Sequence, residues 1–249
     1  MNRFLIIGGG FMGYSLALDI KFKLPNAEIS ILEIDLKNKR IIEDKSNDFD
    51  IYETLSSIEK SFDVVIICTP IKAVPELIKE VANKFSDDTL ITDISSSKNH
   101  LESIATPKNF VSSHPICGSE KSGPEYADLG LYVGRTVAII GSEDAIQTKL
   151  AKFWEILDMN VVFIDSDSHD RVFGDVSHLP HIIAKAYKES LAGKDIDSNL
   201  FADSGKELLR LGNANESLWK EIFADNNENI VQSLDNFEEA LRAIKEQLK

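Results

Sequence analysis

The stretch FLIIGGGFMG, residues 4–13, decides the fold of this chain. Its apolar run predicts a buried strand, and the run ends in a G-x-G-x-x-G pattern formed by Gly8, Gly10 and Gly13. The first glycine permits a tight turn, the second lets the backbone approach a pyrophosphate, and the third lets the next helix pack closely on the sheet. Free N–H groups and the dipole at the start of that helix favour bound phosphate. The stretch therefore predicts a dinucleotide-binding site.

An acid at the end of the second predicted strand, residues 29–34, would complete this site by accepting hydrogen bonds from ribose hydroxyls. Asp35 is the predicted acid, and Glu33 stays open as the alternative because predicted strand ends shift by a few residues. A carboxylate here repels a 2′-phosphate and favours NAD over NADP, although basic residues within 37–40 weaken that preference. The predicted cofactor-binding residues are Gly8, Gly10, Phe11, Met12, Gly13, Asp35 and Thr69.

Short apolar runs alternate with amphipathic stretches through the first two thirds of the chain. Runs rich in Ile and Val, apolar on both faces, are typical of a parallel sheet that is covered on both sides. The alternation predicts an α/β fold, with a Rossmann-type, doubly wound and mostly parallel sheet, over residues 1–165. The predicted strands are residues 4–7, 29–34, 64–68, 90–93, 110–113, 136–140 and 161–164, and helices are predicted at 12–22, 75–85 and 143–157.

The last third of the chain, residues 166–249, is predicted to be an all-helical domain. The apolar faces of its long helices need more partners than one small bundle offers, so we expect them to pack across a homodimer interface. The predicted helices run from a cap at Asp167-Ser168 to Leu191 with Gly193 as the stop, from Leu200 to Leu211, onward from a cap at Asn215, and from Ile230 to Leu248.

The composition excludes several classes of protein. A net charge of −14 over 249 residues argues against binding a nucleic-acid backbone. No stretch approaches the roughly 20 apolar residues of a membrane helix, and the N-terminal apolar run is too short for a signal peptide. Two cysteines, Cys68 and Cys117, form no disulfide framework and predict reduced thiols in a cytoplasmic protein. No metal is expected, because His178 and His181 lack the further ligands that zinc needs.

Three further motifs carry a resemblance to a known family. They are the loop SHPICGSEKSG at residues 113–123, the segment SHLPH at 177–181, and Arg210 followed by Trp219 in LWKEIF. With the glycine loop they span nearly the whole chain, which resembles the prephenate dehydrogenase family. The resemblance implies a Rossmann domain followed by a helical dimerisation domain. It also implies NAD-dependent oxidative decarboxylation of prephenate to 4-hydroxyphenylpyruvate, on the route to tyrosine, with arogenate as the alternative substrate.

The resemblance also implies roles for individual residues. His114 matches the catalytic histidine, which would accept the proton of the C4 hydroxyl as hydride leaves. A serine after Asp93 would orient that histidine; Ser96 is the predicted one, and its two serine neighbours stay open. Alternatively, this serine caps the next helix. The catalytic pair predicted here is therefore His114 and Ser96.

The predicted substrate-binding residues follow from the same resemblance. Arg210 would hold a substrate carboxylate, for which a guanidinium fork is well suited. Lys206, one turn earlier, would add positive charge, and Glu120 would pair with the arginine and gate the pocket. His181 would lie near the substrate.

Two other functions stay open at this point. A related hydroxyacid dehydrogenase would rely on a lysine in the helical domain, and no lysine there has the required context. A non-catalytic NAD-sensing protein would keep the glycine loop but would not require the His114 loop and Arg210 together. Since the strand of the glycine loop starts the chain and a helix ends it, a monofunctional enzyme is expected.

Overall fold

A computed structural model of the chain describes residues 1–118 and 121–249. These residues fall into two units, Met1–Ser166 and Asp167–Lys249. Within the described ranges, no helix is both long and apolar enough to cross a membrane.

The first unit is built on five parallel strands. They are β1 (Arg3–Ile7), β2 (Glu28–Leu32), β3 (Asp50–Tyr52), β4 (Val64–Ile67) and β5 (Leu90–Asp93). Their order in the sheet is β3-β2-β1-β4-β5. From β1 the chain adds β2 and β3 on one side, and then crosses back to add β4 and β5 on the other side of β1. This is the doubly wound arrangement that the sequence predicts. The sequence missed β3, because three residues are too short to show an apolar run.

A second sheet of three strands follows, formed by β6 (Ser113–Ile116), β7 (Thr136–Ile140) and β8 (Asn160–Ile164). β6 runs antiparallel to β7, and β7 runs parallel to β8. A single parallel bridge between Ile91 and Phe110 links this region to β5. The predicted strand 110–113 is therefore displaced towards the C-terminus, and His114 lies inside β6 and not in a loop. Pro115 is tolerated there because β6 is an edge strand of its sheet.

Helices cover both faces of the main sheet. They are α1 (Phe11–Lys23), α2 (Leu36–Lys45), α3 (Val74–Lys84) and α4 (Ala145–Ile156). Successive side chains of β1 point to opposite faces, as a strand requires. Phe4 and Ile6 join a buried cluster with residues of α1 and α4, whereas Leu5 and Ile7 join one with residues of α3. The glycine loop thus follows a strand that is buried from both sides.

The second unit is entirely helical in its described residues. It contains α5 (Ser166–Phe173), α6 (Leu179–Ser190), α7 (Asp203–Gly212), α8 (Glu216–Asp225) and α9 (Asn227–Gln247). A π-helical turn, Gly174–His178, separates α5 from α6, where the sequence predicts one continuous helix. Pro180, in the first turn of α6, has no N–H to bond the carbonyl four residues earlier, which accounts for the interruption. Asp167 and Ser168 lie inside α5, so they do not cap it.

Candidate functional site

The glycine loop between β1 and α1 has the geometry of a phosphate cradle. Gly8 has a φ of 101°, and a Cβ there would lie 2.6 Å from the carbonyl oxygen of Cys68. A Cβ at Gly13 would collide with the carbonyl oxygen of Gly8. Gly10 differs, because its φ of −67° is ordinary and a Cβ there would meet nothing within 4 Å. The fold itself requires Gly8 and Gly13, whereas Gly10 leaves an open space that a ligand could use.

The N-terminus of α1 opens onto this space. Gly10 is its N-cap and offers no side chain to bond the first N–H groups. Phe11 is buried, and Met12 is half-buried with its carbonyl oxygen accepting the Tyr132 hydroxyl at 2.9 Å. The uncapped first turn can therefore bond an anion through its backbone N–H groups.

Two acids follow β2, and their carboxylates bind different parts of the backbone. Glu33 is 6% exposed, and its Oε2 accepts the Gly9 N–H at 2.9 Å, directly at the glycine loop. Asp35 is the N-cap of α2, and its Oδ1 accepts the N–H groups of Lys37 and Asn38, each at 2.9 Å. The geometry therefore favours Glu33, the alternative, over Asp35 as the acid beside the cofactor. The sequence could not separate them, because both follow the strand at nearly the same distance.

Thr69 lies just after β4, next to Gly8 of the glycine loop. Its Cγ2 would be 3.3 Å from a Cβ at Gly8, and its hydroxyl oxygen is buried without a hydrogen-bond partner in the described part of the chain. A buried hydroxyl left unpaired costs about 1–3 kcal/mol, so such groups usually meet a ligand or water. Thr69 therefore fits its predicted place at the cofactor.

A buried ion pair underlies the loop that contains the three serines. Lys98 and Asp93 are both fully buried, with Nζ and Oδ2 at 3.1 Å, and Lys98 also donates to the carbonyl oxygen of Ser113 at 2.9 Å. Burial raises the pKa of Asp93, but Lys98 and hydrogen bonds from Ser112 and Ser95 outweigh it, so the pKa lies below its usual range. This network ties residues 93–98 to the start of β6 and so fixes the backbone next to His114.

His114 itself is 8% exposed and pairs with Ala138 across β6 and β7. Of the three serines, Ser95 hydrogen-bonds Asp93, and Ser97 is fully buried. Ser96 is half-buried, and no hydrogen bond of its side chain occurs among residues 1–118 and 121–249. Its hydroxyl is therefore available to a ligand, as the predicted role requires. Glu120, the predicted gate, lies outside the described residues.

The helical unit holds a pocket of about 650 Å³ beside α6 and α8. One wall is a ring stack in which His181 and Trp219 have centroids 3.5 Å apart and planes at 23°. Burial lowers the pKa of His181 to about 4, a backbone hydrogen bond to Leu211 opposes this, and Arg210 lowers it further. His181 is therefore neutral near pH 7. The charged residues that line the pocket are Lys185, Lys188, Glu189, Glu216 and Lys220.

Arg210 and Lys206 lie one turn apart on α7, and both are exposed. Arg210 Nε donates to Glu207 at 3.0 Å, and Lys206 Nζ lies 3.6 Å from Asp203. Exposed pairs at this spacing stabilise a protein by at most about 1 kcal/mol. A substrate carboxylate could therefore replace either carboxylate at little expense. Among the described residues, no three His, Cys, Asp or Glu side chains are grouped as a metal site.

Two family models match the chain over nearly its whole length. Residues 16–164 match the prephenate dehydrogenase nucleotide-binding domain, and residues 165–249 match the prephenate dehydrogenase dimerization domain. The chain belongs to the prephenate dehydrogenase family. The glycine loop precedes the first matched residue, so it is a separate observation that agrees with a nucleotide-binding domain.

Individual relatives show the same likeness. The chain is 30% identical to the prephenate dehydrogenase of Lactococcus lactis subsp. cremoris, over 98% of this chain and 70% of that protein. It is 23% identical to the cyclohexadienyl dehydrogenase of Zymomonas mobilis, over 96% of this chain and 86% of that protein. The crystal structure of Aquifex aeolicus prephenate dehydrogenase in complex with hydroxyphenyl propionate and NAD+ is 29% identical, with a TM-score of 0.87, and covers 100% of this chain and 91% of that chain.

In this member of the prephenate dehydrogenase family, each unit gathers its own set of predicted residues. The first brings the glycine loop, Glu33 and Thr69 together. The second brings His181 to Trp219, which the sequence alone places in ordinary core or interface packing. The sequence analysis did not identify Lys185 and Lys188 as residues that line the pocket. The spacing of residues 181, 185 and 188, which places them on one face of a helix with His181, could have indicated them.

Proposed function

We propose that this chain is an NAD-dependent prephenate dehydrogenase that converts prephenate to 4-hydroxyphenylpyruvate and CO₂ in tyrosine biosynthesis. The observation that carries the proposal is the match of both family domains to one chain, residues 16–249. The Aquifex aeolicus relative, crystallised with NAD+ and hydroxyphenyl propionate, supports the same cofactor and a substrate with a six-membered ring and a carboxylate side chain.

The residues at the glycine loop fit NAD. The space beside Gly10 would take the pyrophosphate, Glu33 would accept hydrogen bonds from the adenosine ribose, and the orphaned Thr69 hydroxyl would gain a partner. When bound, NAD supplies the hydride acceptor for the reaction. A carboxylate at position 33 disfavours a 2′-phosphate, which supports NAD over NADP.

His114 is the proposed general base. It accepts the C4 hydroxyl proton as the C4 hydrogen leaves with its electron pair as hydride. The bond from the ring to the carboxylate then breaks, CO₂ leaves, and the electron pair completes the aromatic ring. Ser96 would orient the hydroxyl and the histidine through its available hydroxyl group. The Asp93–Lys98 pair holds the backbone of both residues in place.

The helical unit would recognise the substrate's charges. Prephenate carries two carboxylates, and Arg210 would hold one of them, with Lys206 adding positive charge. The neutral His181, stacked on Trp219, would hydrogen-bond the side chain of the substrate without adding a charge.

The helical unit would also form a homodimer. Its match to the family's dimerization domain supports this, as do the exposed apolar side chains Val231, Leu241 and Ile244 of α9. The two units would then act as a cofactor domain, 1–165, and a domain for dimerisation and substrate, 166–249. The free thiols of Cys68 and Cys117 support a reducing, cytoplasmic location.

One assay tests the proposal against its alternatives. The purified chain is given NAD+ and prephenate, then NAD+ and arogenate, and NADH absorbance is followed. Faster turnover of prephenate is the expected result. Preference for arogenate would favour the alternative that the 23% identical cyclohexadienyl dehydrogenase raises. NAD binding with no NADH formed from either substrate would indicate an NAD-sensing protein.

A further inference from the structure

A buried asparagine joins four elements of the helical unit. Asn226 lies between α8 and α9 and is 2% exposed. Its Nδ2 donates to the carbonyl oxygen of Asp170, in α5, at 2.7 Å and to Nδ1 of His178, in the π-helical turn, at 3.0 Å. Its Oδ1 accepts from Nδ2 of Asn229, in α9, at 2.8 Å. Every polar atom of this side chain is therefore used inside the unit.

These bonds determine where the proton of His178 sits. The carbonyl of Asp170 can only accept, and Asn229 donates to the other end of the amide, so the orientation of the Asn226 amide is fixed. An N–H of Asn226 therefore faces Nδ1 of His178, which must accept, and the ring carries its proton on Nε2. His178 is 1% exposed, and burial lowers its pKa to about 4, so the neutral ring persists near pH 7.

His178 in turn contacts the aromatic wall of the pocket. Its ring meets Trp219 nearly edge to face, with centroids 6.1 Å apart and planes at 77°. Trp219 then stacks on His181, which lines the pocket. Such ring pairs have preferred geometries, so a ring held at one end of the series constrains the next. A continuous series of contacts thus leads from Asn226 to His181.

The π-helical turn is itself anchored to α9, which keeps His178 at a fixed distance from Asn226. A Cβ at Gly174 would lie 3.4 Å from the side chains of both Asn229 and Ser233, so the turn and α9 are in close contact. Ser233 also donates to Asp175 at 2.6 Å. Turns of this kind are frequent at functional sites.

We propose that Asn226 is a positioning residue for the substrate pocket, because it fixes the tautomer and orientation of His178 and thereby the stack of Trp219 on His181. Because Asn226 is 2% exposed and acts through His178, the proposed role is one of positioning and not of catalysis. The inference rests on the proposed function, in which His181 meets the side chain of the substrate.

The test compares Asn226→Ala with Asn109→Ala, which removes a buried asparagine side chain of the first unit that donates to the carbonyl oxygen of Thr89 at 2.8 Å. Asn226→Ala should raise the KM for prephenate about three- to tenfold, the effect of one lost buried hydrogen bond, and leave the KM for NAD unchanged. Asn109→Ala should change neither. Nitrogen-15 spectra of labelled histidines should show His178 with Nε2–H in the wild type and a mixture of tautomers in Asn226→Ala.

A second variant tests the same contact at nearly constant side-chain size. Asn226→Asp faces both Nδ1 of His178 and the Asp170 carbonyl with an acceptor, so Nδ1 should gain a proton and the KM for prephenate should again rise, and circular dichroism checks that each variant is folded. An unchanged KM in a variant whose tautomer has changed would overturn the proposal, as would an equal rise in Asn109→Ala. If the wild type does not turn over prephenate, the proposed function fails. The fluorescence of Trp219 in a Trp154→Phe background would then still test the positioning, because a disturbed stack should change the emission in both Asn226 variants and not in Asn109→Ala.

Discussion

The two units differ in how much of their apolar surface each one buries. In the first, both faces of β1 and β4 are sealed by helices, and large side chains such as Trp154 and Phe153 are fully buried. In the second, the described residues include only four buried apolar side chains, which are Phe173, Ala184, Ile222 and Ile230. Nine large apolar side chains are exposed among the described residues of that unit, as many as in the first unit, which is twice its size. One unit completes its own core, whereas the other leaves apolar surface for a partner.

The largest expected effect tests whether the chemistry belongs to the first unit. His114→Asn should lower kcat by about 10²–10⁴-fold, because a general base contributes about that much, and should leave the Kd for NAD unchanged. Steady-state kinetics and calorimetry measure the two quantities. Arg210→Ala, in the second unit, should instead act mainly through the KM for prephenate, because it removes ground-state binding of a carboxylate. A kcat that barely changes in His114→Asn would show that the base is another residue.

The second prediction tests the incomplete core of the helical unit. Leu241 and Ile244 are 52% and 54% exposed and lie three residues apart on one face of α9. Replacing both with Glu should convert the proposed dimer to a monomer in light scattering and lower the Tm, because charges at a buried apolar interface are strongly unfavourable. Phe22→Glu, at a 66% exposed position in the first unit, is the matched control and should leave the mass unchanged. A wild-type monomer at micromolar concentration would contradict the inference that the helical unit leaves apolar surface for a partner.

The same contrast explains what the sequence could predict. Strands such as β4 were readable because all four of their residues are buried and apolar, and the glycine loop was readable because its chemistry is local. The confirmed predictions are the fold class, the family and the NAD cofactor. The displaced β6 was not readable, because tolerance of Pro115 depends on its being an edge strand. The stack of His181 on Trp219 joins residues 38 positions apart, and no local pattern encodes it.

The third prediction separates glycines needed by the fold from the glycine needed by the ligand. Gly10→Ala should leave the free energy of unfolding nearly unchanged, since its Cβ meets nothing within 4 Å. The methyl group should weaken NAD binding by about 1–3 kcal/mol, which is about 5- to 150-fold in Kd, because it fills the space of the pyrophosphate. Gly13→Ala should do the reverse and unfold the first unit at a lower temperature, because its Cβ collides with the Gly8 carbonyl. Equal effects of both variants on stability would refute this division.

The smallest expected effect decides between the two acids after β2. Glu33→Gln keeps one oxygen acceptor, but its amide group must face the N–H of Gly9 or of Asp35, so both the loop contact and the proposed bond to ribose should weaken and the KM for NAD should rise about 2- to 10-fold. Asp35→Asn is the matched control, because Asn caps a helix as well as Asp does and α2 should remain intact. If Asp35→Asn raised the KM for NAD and Glu33→Gln did not, the ribose acid would be Asp35. The first unit would then bind its cofactor with a residue that also caps a helix, and the Glu33 contact with the loop would serve the fold alone.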